Sequence, residues 1–281
     1  MLALFSTASL YGRSSLRALL RGHARVVDER LVFVVGCPRS GTTFVGKSVG
    51  AQPGFVDLGE VHPLKKAIPD LVRLSEEETA EKLRQILERV RRLGLVRHLR
   101  GVEQTPETSF VLAAALRAYP RACALHVIRD GRDVVCSLLE RGWLSAARTG
   151  ADDVGRPFGP HARFWVEPER VADFDRVSDA ARAAYAWRRY VEAVRVVRER
   201  TLELRYETLG ADPVTTARSV AAQLQVDPEP LQTAFAHAHQ KSVARWRRDL
   251  TEEQLRDVEA EAGELLEELG YVQSSSRPSS S

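Results

Sequence analysis

The segment Gly36-Cys37-Pro38-Arg39-Ser40-Gly41-Thr42-Thr43 concentrates residues suited to holding an anion. Glycines let a backbone curl until successive N–H groups point into one concavity, and a helix starting there adds the positive end of its dipole. Thr42 and Thr43 place hydroxyl donors at the helix start, and Arg39 adds a permanent positive charge. Gly36 and Gly41 have the spacing of a phosphate loop, G-x-x-x-x-G-K-[ST]. Thr42, however, stands where the lysine that reaches the β- and γ-phosphates of a nucleoside triphosphate would be. The pattern weakens a triphosphate reading and points to a shorter anionic chain.

A second constellation is Ile128-Arg129-Asp130-Gly131-Arg132-Asp133-Val134-Val135-Cys136-Ser137. Arg129 closes an apolar run and Ser137 lies about two turns into the helix that follows. One guanidinium and one hydroxyl there suit a terminal phosphate at the carboxyl edge of a parallel sheet, where ligands of open α/β folds bind. Alone the motif is common. Together, GCPRSGTT after a first strand and RDGRDVVCS after a later one resemble the two segments that bind 3′-phosphoadenosine-5′-phosphosulfate (PAPS) in the sulfotransferase family. The resemblance runs from about Leu31 to Tyr271 and takes in Arg205-Tyr206-Glu207 and the closing Ala244-Arg245-Trp246-Arg247-Arg248-Asp249-Leu250.

The resemblance implies a set of roles. Arg39, Ser40, Gly41, Thr42 and Thr43 would hold the 5′-phosphosulfate, with Arg39 also stabilising charge on the leaving group. Arg129 and Ser137 would hold the 3′-phosphate, and Arg141, one turn after Ser137, matches a further nucleotide contact of the tyrosylprotein-type branch. Tyr206 would lie near the adenine or its phosphate, and Arg245 would close over the nucleotide. Leu58-Gly59-Glu60-Val61 resembles the Gly-Glu that carries the base in tyrosylprotein-like and many bacterial members, so Glu60 is the expected catalytic base, at the start of a helix. His62 is its competitor. Relatives often carry a lysine in the stretch that here reads Glu103-Gln104-Thr105-Pro106, and Gln104 brings no charge. The implied reaction moves a sulfuryl group from PAPS to an acceptor hydroxyl and needs no metal. A small metabolite, glycolipid or carbohydrate is the favoured acceptor. A P-loop small-molecule or nucleotide kinase, and a non-catalytic nucleotide-binding relative, stand as alternatives.

Composition bounds the rest. The chain has 281 residues, 44% hydrophobic and 28% charged, the profile of an ordinary globular protein. Its 41 basic and 38 acidic residues leave a net charge of +3, without the dominant basic excess of a nucleic-acid binder. Only Lys47, Lys65, Lys66, Lys82 and Lys241 are lysines, so a phosphate site here is built largely from guanidinium groups. Cys37, Cys123 and Cys136 show no CxxC spacing, which suggests a reduced, cytoplasmic chain. His237 and His239, one residue apart, diverge on a helix and are not expected to ligate a metal. No apolar run approaches the roughly 20 residues that span a bilayer. Arg13, Arg17, Arg21 and Arg25 make a basic helical face in an extension over residues 1–27, which leaves peripheral membrane contact open. Oligomeric state is not legible.

The elements that must position these residues alternate. LVFVV at Leu31 to Val35 predicts a strand buried on both faces, and a helix follows from about Thr42. Further strands are expected over Phe55 to Leu58, about Gly101 to Gln104, Ala122 to Ile128 and Leu202 to Arg205. Helices are expected from Ser75 to about Leu93, from Pro106, over Arg132 to Arg141, and from about Asp179 to Arg200. Asp212-Pro213 and the Thr251 to Gln254 capping box open helices in a C-terminal part that is otherwise helical. This order predicts one domain over 1–272, a three-layer α/β/α sandwich around a central parallel sheet with a P-loop-like nucleotide-binding fold. An irregular acceptor-side excursion occupies 142–178, where Trp143, Phe158, Phe164 and Trp165 are candidates to line a pocket. A serine-rich tail over 273–281 has nothing to bury.

Overall fold

The computed structural model describes residues 31–92, 99–145 and 171–272. The extension over 1–27, the tail over 273–281, and Phe158, Phe164 and Trp165 lie outside the described residues. In chain order the elements begin β1 (Leu31–Val35), α1 (Thr42–Gly50), β2 (Phe55–Gly59), α2 (His62–Leu71), α3 (Glu76–Arg92) and β3 (Arg100–Glu103). A 3-10 segment (Pro106–Val111), α4 (Leu112–Ala118), β4 (Cys123–Ile128), α5 (Gly131–Arg141), α6 (Val171–Arg176) and α7 (Asp179–Arg195) follow. The chain then forms β5 (Thr201–Arg205), α8 (Tyr206–Ala211), α9 (Pro213–Leu224), α10 (Glu229–Phe235), α11 (Trp246–Asp249) and α12 (Glu252–Glu268). It divides into two compact units, with boundaries after Ile128, Arg189 and Gln240.

The first unit holds a five-stranded sheet in the order β2-β3-β1-β4-β5. Every pair is parallel, with Phe33 opposite Glu103 on one side and Ala124 on the other. All five side chains of β1 are buried, as its place in the middle of a covered parallel sheet requires. The expected α/β fold with a central parallel sheet is therefore present. Each strand delivers a candidate residue at its carboxyl end. Gly36 follows β1, Glu60 follows β2, Gln104 follows β3, Arg129 follows β4 and Tyr206 follows β5.

Several helix starts carry the predicted caps. Ser75 Oγ accepts from Glu78 N, and the Glu78 carboxylate accepts from Ser75 N, ahead of α3. The Asp212 carboxylate accepts from Thr215 N at 3.1 Å, and Thr251 and Gln254 form a reciprocal capping box before α12.

The structure differs from expectation at three places. The helix predicted from Pro106 begins as a 3-10 segment, because two of its side chains bond elsewhere. Thr108 Oγ1 donates to Glu103, and Ser109 Oγ accepts from Gly36 N. Helix α7 stops at Arg195, and the remaining residues to Arg200 turn and form a short 3-10 piece. The segment over 142–178 contains α6. In the second unit the buried Arg182 donates to the carbonyls of Leu144, Phe174 and Asp175. Arg188 pairs with Glu261 at 2.6 Å, linking α7 to α12. Among the described residues no helix is long and apolar enough to cross a membrane.

Candidate functional site

The loop between β1 and α1 is shaped by backbone conformations that few residues tolerate. Gly36 has φ 144°, and a Cβ there would stand 2.4 Å from the Val127 carbonyl oxygen, so only glycine lets β4 approach so closely. Its N–H donates to Ser109 Oγ at 3.2 Å. Arg39 takes φ 75°, left-handed for a residue with a side chain, and Ser40 N closes the turn on Cys37 O at 3.0 Å. Gly41, also left-handed, is the N-cap of α1 and supplies no side-chain cap, so the first-turn N–H groups remain available to an anion.

Ser40 is 1% exposed, and its hydroxyl is buried with no hydrogen-bond partner among the described residues. A buried hydroxyl in that state is costly unless a ligand completes it. Thr42 is buried, while Thr43 and Arg39 are exposed. Burial also pushes the Cys37 thiol well up, so this loop cysteine is an inert packing residue. Tyr206, first residue of α8, lies against the loop: its ring would be 2.4 Å from a Cβ on Gly41. Its hydroxyl donates to His239 O at 3.3 Å.

Glu60 does not begin a helix. The N-cap of α2 is Val61, and Glu60 sits in the preceding turn, where Gly59 adopts φ 64°. That turn is tightly held: Asp57 Oδ1 accepts from Gly59 N at 2.8 Å, Gln104 N donates to Gly59 O at 3.1 Å, and Val61 N donates to Thr105 Oγ1 at 3.0 Å. His62 opens α2 instead of sharing a helix with Glu60.

Two charged residues that motif reasoning passed over surround Glu60. Lys65 Nζ lies 2.5 Å from Glu60 Oε2, with the lysine side chain 8% exposed and the glutamate 35%. Glu103, the last residue of β3, is fully buried and accepts from Thr105 N at 2.7 Å and Thr108 Oγ1 at 3.0 Å. Burial pushes its carboxyl up to about 7 against those hydrogen bonds, and the neighbouring Glu60 charge adds to the rise. The signal for Lys65 was its rarity, one of five lysines in an arginine-rich chain. Gln104 packs against α1, where a Cβ on Gly46 would meet its Oε1 at 2.8 Å. That oxygen is buried without a partner among the described residues.

In the second unit, Asp130 caps α5 by accepting from Arg132 N at 3.0 Å. Arg132 also donates to Tyr271 O and stacks 3.8 Å over the Trp246 ring. A Cβ on Gly131 would collide with the Trp187 ring at 2.7 Å, and Trp187 Nε1 donates to Arg129 O. The Arg129 guanidinium donates to the Ser242 carbonyl and lies 3.8 Å from Asp133. Asp133 is fully buried and accepts from Ala244 N at 2.8 Å and Trp246 N at 3.0 Å. Burial raises its carboxyl, opposed by those bonds and by Arg129. The motif thus gathers the segment Ser242 to Trp246 around Arg129 and Asp133. Ser137 is buried on α5, and Arg141, at the end of the same helix, is 5.9 Å from the Trp143 ring centre. Arg245 bonds the Glu140 carboxylate and reaches Asp249 at 2.7 Å. It lines a pocket of about 480 Å³ with Cys136, Leu139 and Arg248.

Curated proteins give no match to this chain. Among solved structures, a sulfotransferase domain from the Synechococcus PCC 7002 olefin synthase superposes with a TM-score of 0.52 at 17% identity, covering 85% of this chain and 98% of that domain. The sulfotransferase domain of the curacin biosynthetic pathway gives 0.52 at 12% identity, over 84% of this chain and 97% of that one. A sulfotransferase of Mycobacterium avium gives 0.51 at 14% identity, over 92% and 82%. These similarities show a shared fold. The sulfotransferase family model matches residues 32–230, most of the chain and all five strands, and the protein belongs to that family.

Proposed function

We propose that this sulfotransferase moves the sulfuryl group of PAPS to a hydroxyl of a small metabolite, glycolipid or carbohydrate, with Glu60 as base. The carrying observation is the loop after β1, where a Ser40 hydroxyl buried without a partner among the described residues and an uncapped helix start suit an anion. Bound PAPS supplies a sulfuryl group already joined to a good leaving phosphate. Arg39, Ser40, Gly41, Thr42 and Thr43 bind the 5′-phosphosulfate. Arg129, Ser137 and Arg141 take the 3′-phosphate side, with Tyr206 beside the nucleotide and Arg245 closing from the C-terminal segment.

The chemistry follows from these roles. The acceptor oxygen attacks sulfur as the bond from sulfur to the bridging phosphate oxygen breaks. The acceptor proton passes to Glu60, and the charge growing on the departing phosphate is met by Arg39 and the loop N–H groups. The product nucleotide is adenosine 3′,5′-bisphosphate. Free thiols at Cys37, Cys123 and Cys136 suit a reducing compartment, and we place the protein in the cytoplasm.

The test is a thermal-shift titration with adenosine 3′,5′-bisphosphate, with ATP and magnesium in parallel. A ligand that binds the folded state raises the melting temperature by mass action. A metal-free shift that is lost in Arg129→Ala is the expected result. A shift only with Mg-ATP would overturn the reading in favour of a kinase.

A further inference from the structure

The base proposed above stands between charges of opposite sign. On β3, Glu103 is fully buried beyond the β2 turn, and the Glu60 charge adds to the rise that burial gives its carboxyl. On α2, Lys65 is buried with its ammonium 2.5 Å from Glu60 Oε2. The next position after Glu103 is Gln104, a neutral amide, so the carboxyl end of β3 carries no cation, and Arg100 at its start donates to the Leu224 carbonyl.

The other charged groups on the packed elements are accounted for as well. Asp57 on β2 accepts from Gly59 N, and that bond and Lys47 of α1 work against the rise that burial gives its carboxyl. Glu107 of the 3-10 segment is buried near Cys37. Lys66 on α2 is exposed, and His62 begins that helix. Helix α3 meets α2 at its far end, where Thr79 Oγ1 donates to Leu71 O.

A general base must hold its accepting oxygen within reach of the acceptor hydroxyl, and a half-exposed glutamate in a turn has rotamers that point elsewhere. A buried ammonium in direct contact restrains the side chain to one orientation. We propose that Lys65 is a positioning residue of the transfer reaction, holding the Glu60 carboxylate in one orientation at the carboxyl edge of the sheet. The proposal rests on Glu60 being the base, and it assigns to an α2 lysine the charge that position 104 lacks.

Turnover of the full-length protein is followed with water as acceptor, as release of sulfate from PAPS. In Lys65→Met, and in Lys65→Gln as a polar variant should the first fail to fold, kcat falls by about tenfold or more while the KM for PAPS changes by less than about threefold, because the base is misplaced and the nucleotide site is left intact. Lys65→Arg, which keeps a cation against Glu60, recovers most of the loss. An unchanged kcat in the neutral variants, or a loss that Lys65→Arg does not recover, overturns the proposal. Thermal shift with adenosine 3′,5′-bisphosphate separates the two readings. Wild-type protein that shows no shift sinks the functional reading and leaves the pair a structural one, whatever the turnover of the variants gives.

Discussion

Glu103 should make the stability of the protein depend on pH in a direction opposite to that of a paired surface carboxylate. Burial carries its carboxyl from an ordinary 4.5 to about 7 in the folded protein. Between those values the folded state keeps a proton that the unfolded chain releases, so stability falls as pH rises through the window. Below pH 4.5 both states are protonated and the contribution is complete. Above about 7 both are ionised and it is lost. At about 1.4 kcal/mol per unit, the window amounts to about 3 kcal/mol.

Glu103→Gln removes the titration while leaving a carbonyl oxygen to accept from Thr105 N, where Oε1 now accepts at 2.7 Å. Any fixed cost of the amide, such as a rearranged bond with Thr108, is the same at every pH. Urea unfolding followed by circular dichroism at pH 4.5, 6 and 8 should therefore show the variant gaining about 3 kcal/mol on the wild type between the extremes. Parallel profiles would refute the reasoning. They would mean that the bonds from Thr105 and Thr108 offset the burial and that Glu103 ionises near its usual value.

Two further predictions concern the nucleotide segments. Gly41→Ala forces a side chain into φ 100° and toward the Tyr206 ring. It should cost about 1–3 kcal/mol of stability and weaken adenosine 3′,5′-bisphosphate binding by tenfold or more in a titration. Wild-type affinity would show that the loop is not the anion site. Asp133→Ala strands the N–H groups of Ala244 and Trp246, so hydrogen exchange at those two amides should accelerate and the protein lose about 2–4 kcal/mol. Unchanged exchange would show that Asp133 does not hold the segment.

The strand β1 is legible from LVFVV because a central parallel strand is covered on both faces and needs an unbroken apolar run. The Thr251 box is legible because its partners are three residues apart, and the structure forms both of its bonds. The 3-10 start at Pro106 is not legible in that way. Its cause is a pair of side-chain bonds, one of which joins Ser109 to Gly36 across 73 residues. Asp133 shows the same limit. Its position in the second motif is plain, but its task of holding backbone 111 and 113 residues away depends on where the C-terminal segment returns.

The pairing of Glu60 with Lys65 was hidden for a different reason, because it is local yet breaks the local rule. Facing charges on a helix stand three or four residues apart, and these two stand five apart. The contact arises because Glu60 is outside α2, in a turn made by Gly59 at φ 64°, while Lys65 is inside its first turns. Charge type matters there too. A guanidinium presents a planar fork best matched by two acceptor oxygens, whereas an ammonium is a compact point charge on a flexible stem. A single carboxylate oxygen, Glu60 Oε2, in contact with one cation suits the ammonium. A chain that draws almost all its positive charge from arginine thus places one of its five lysines against Glu60.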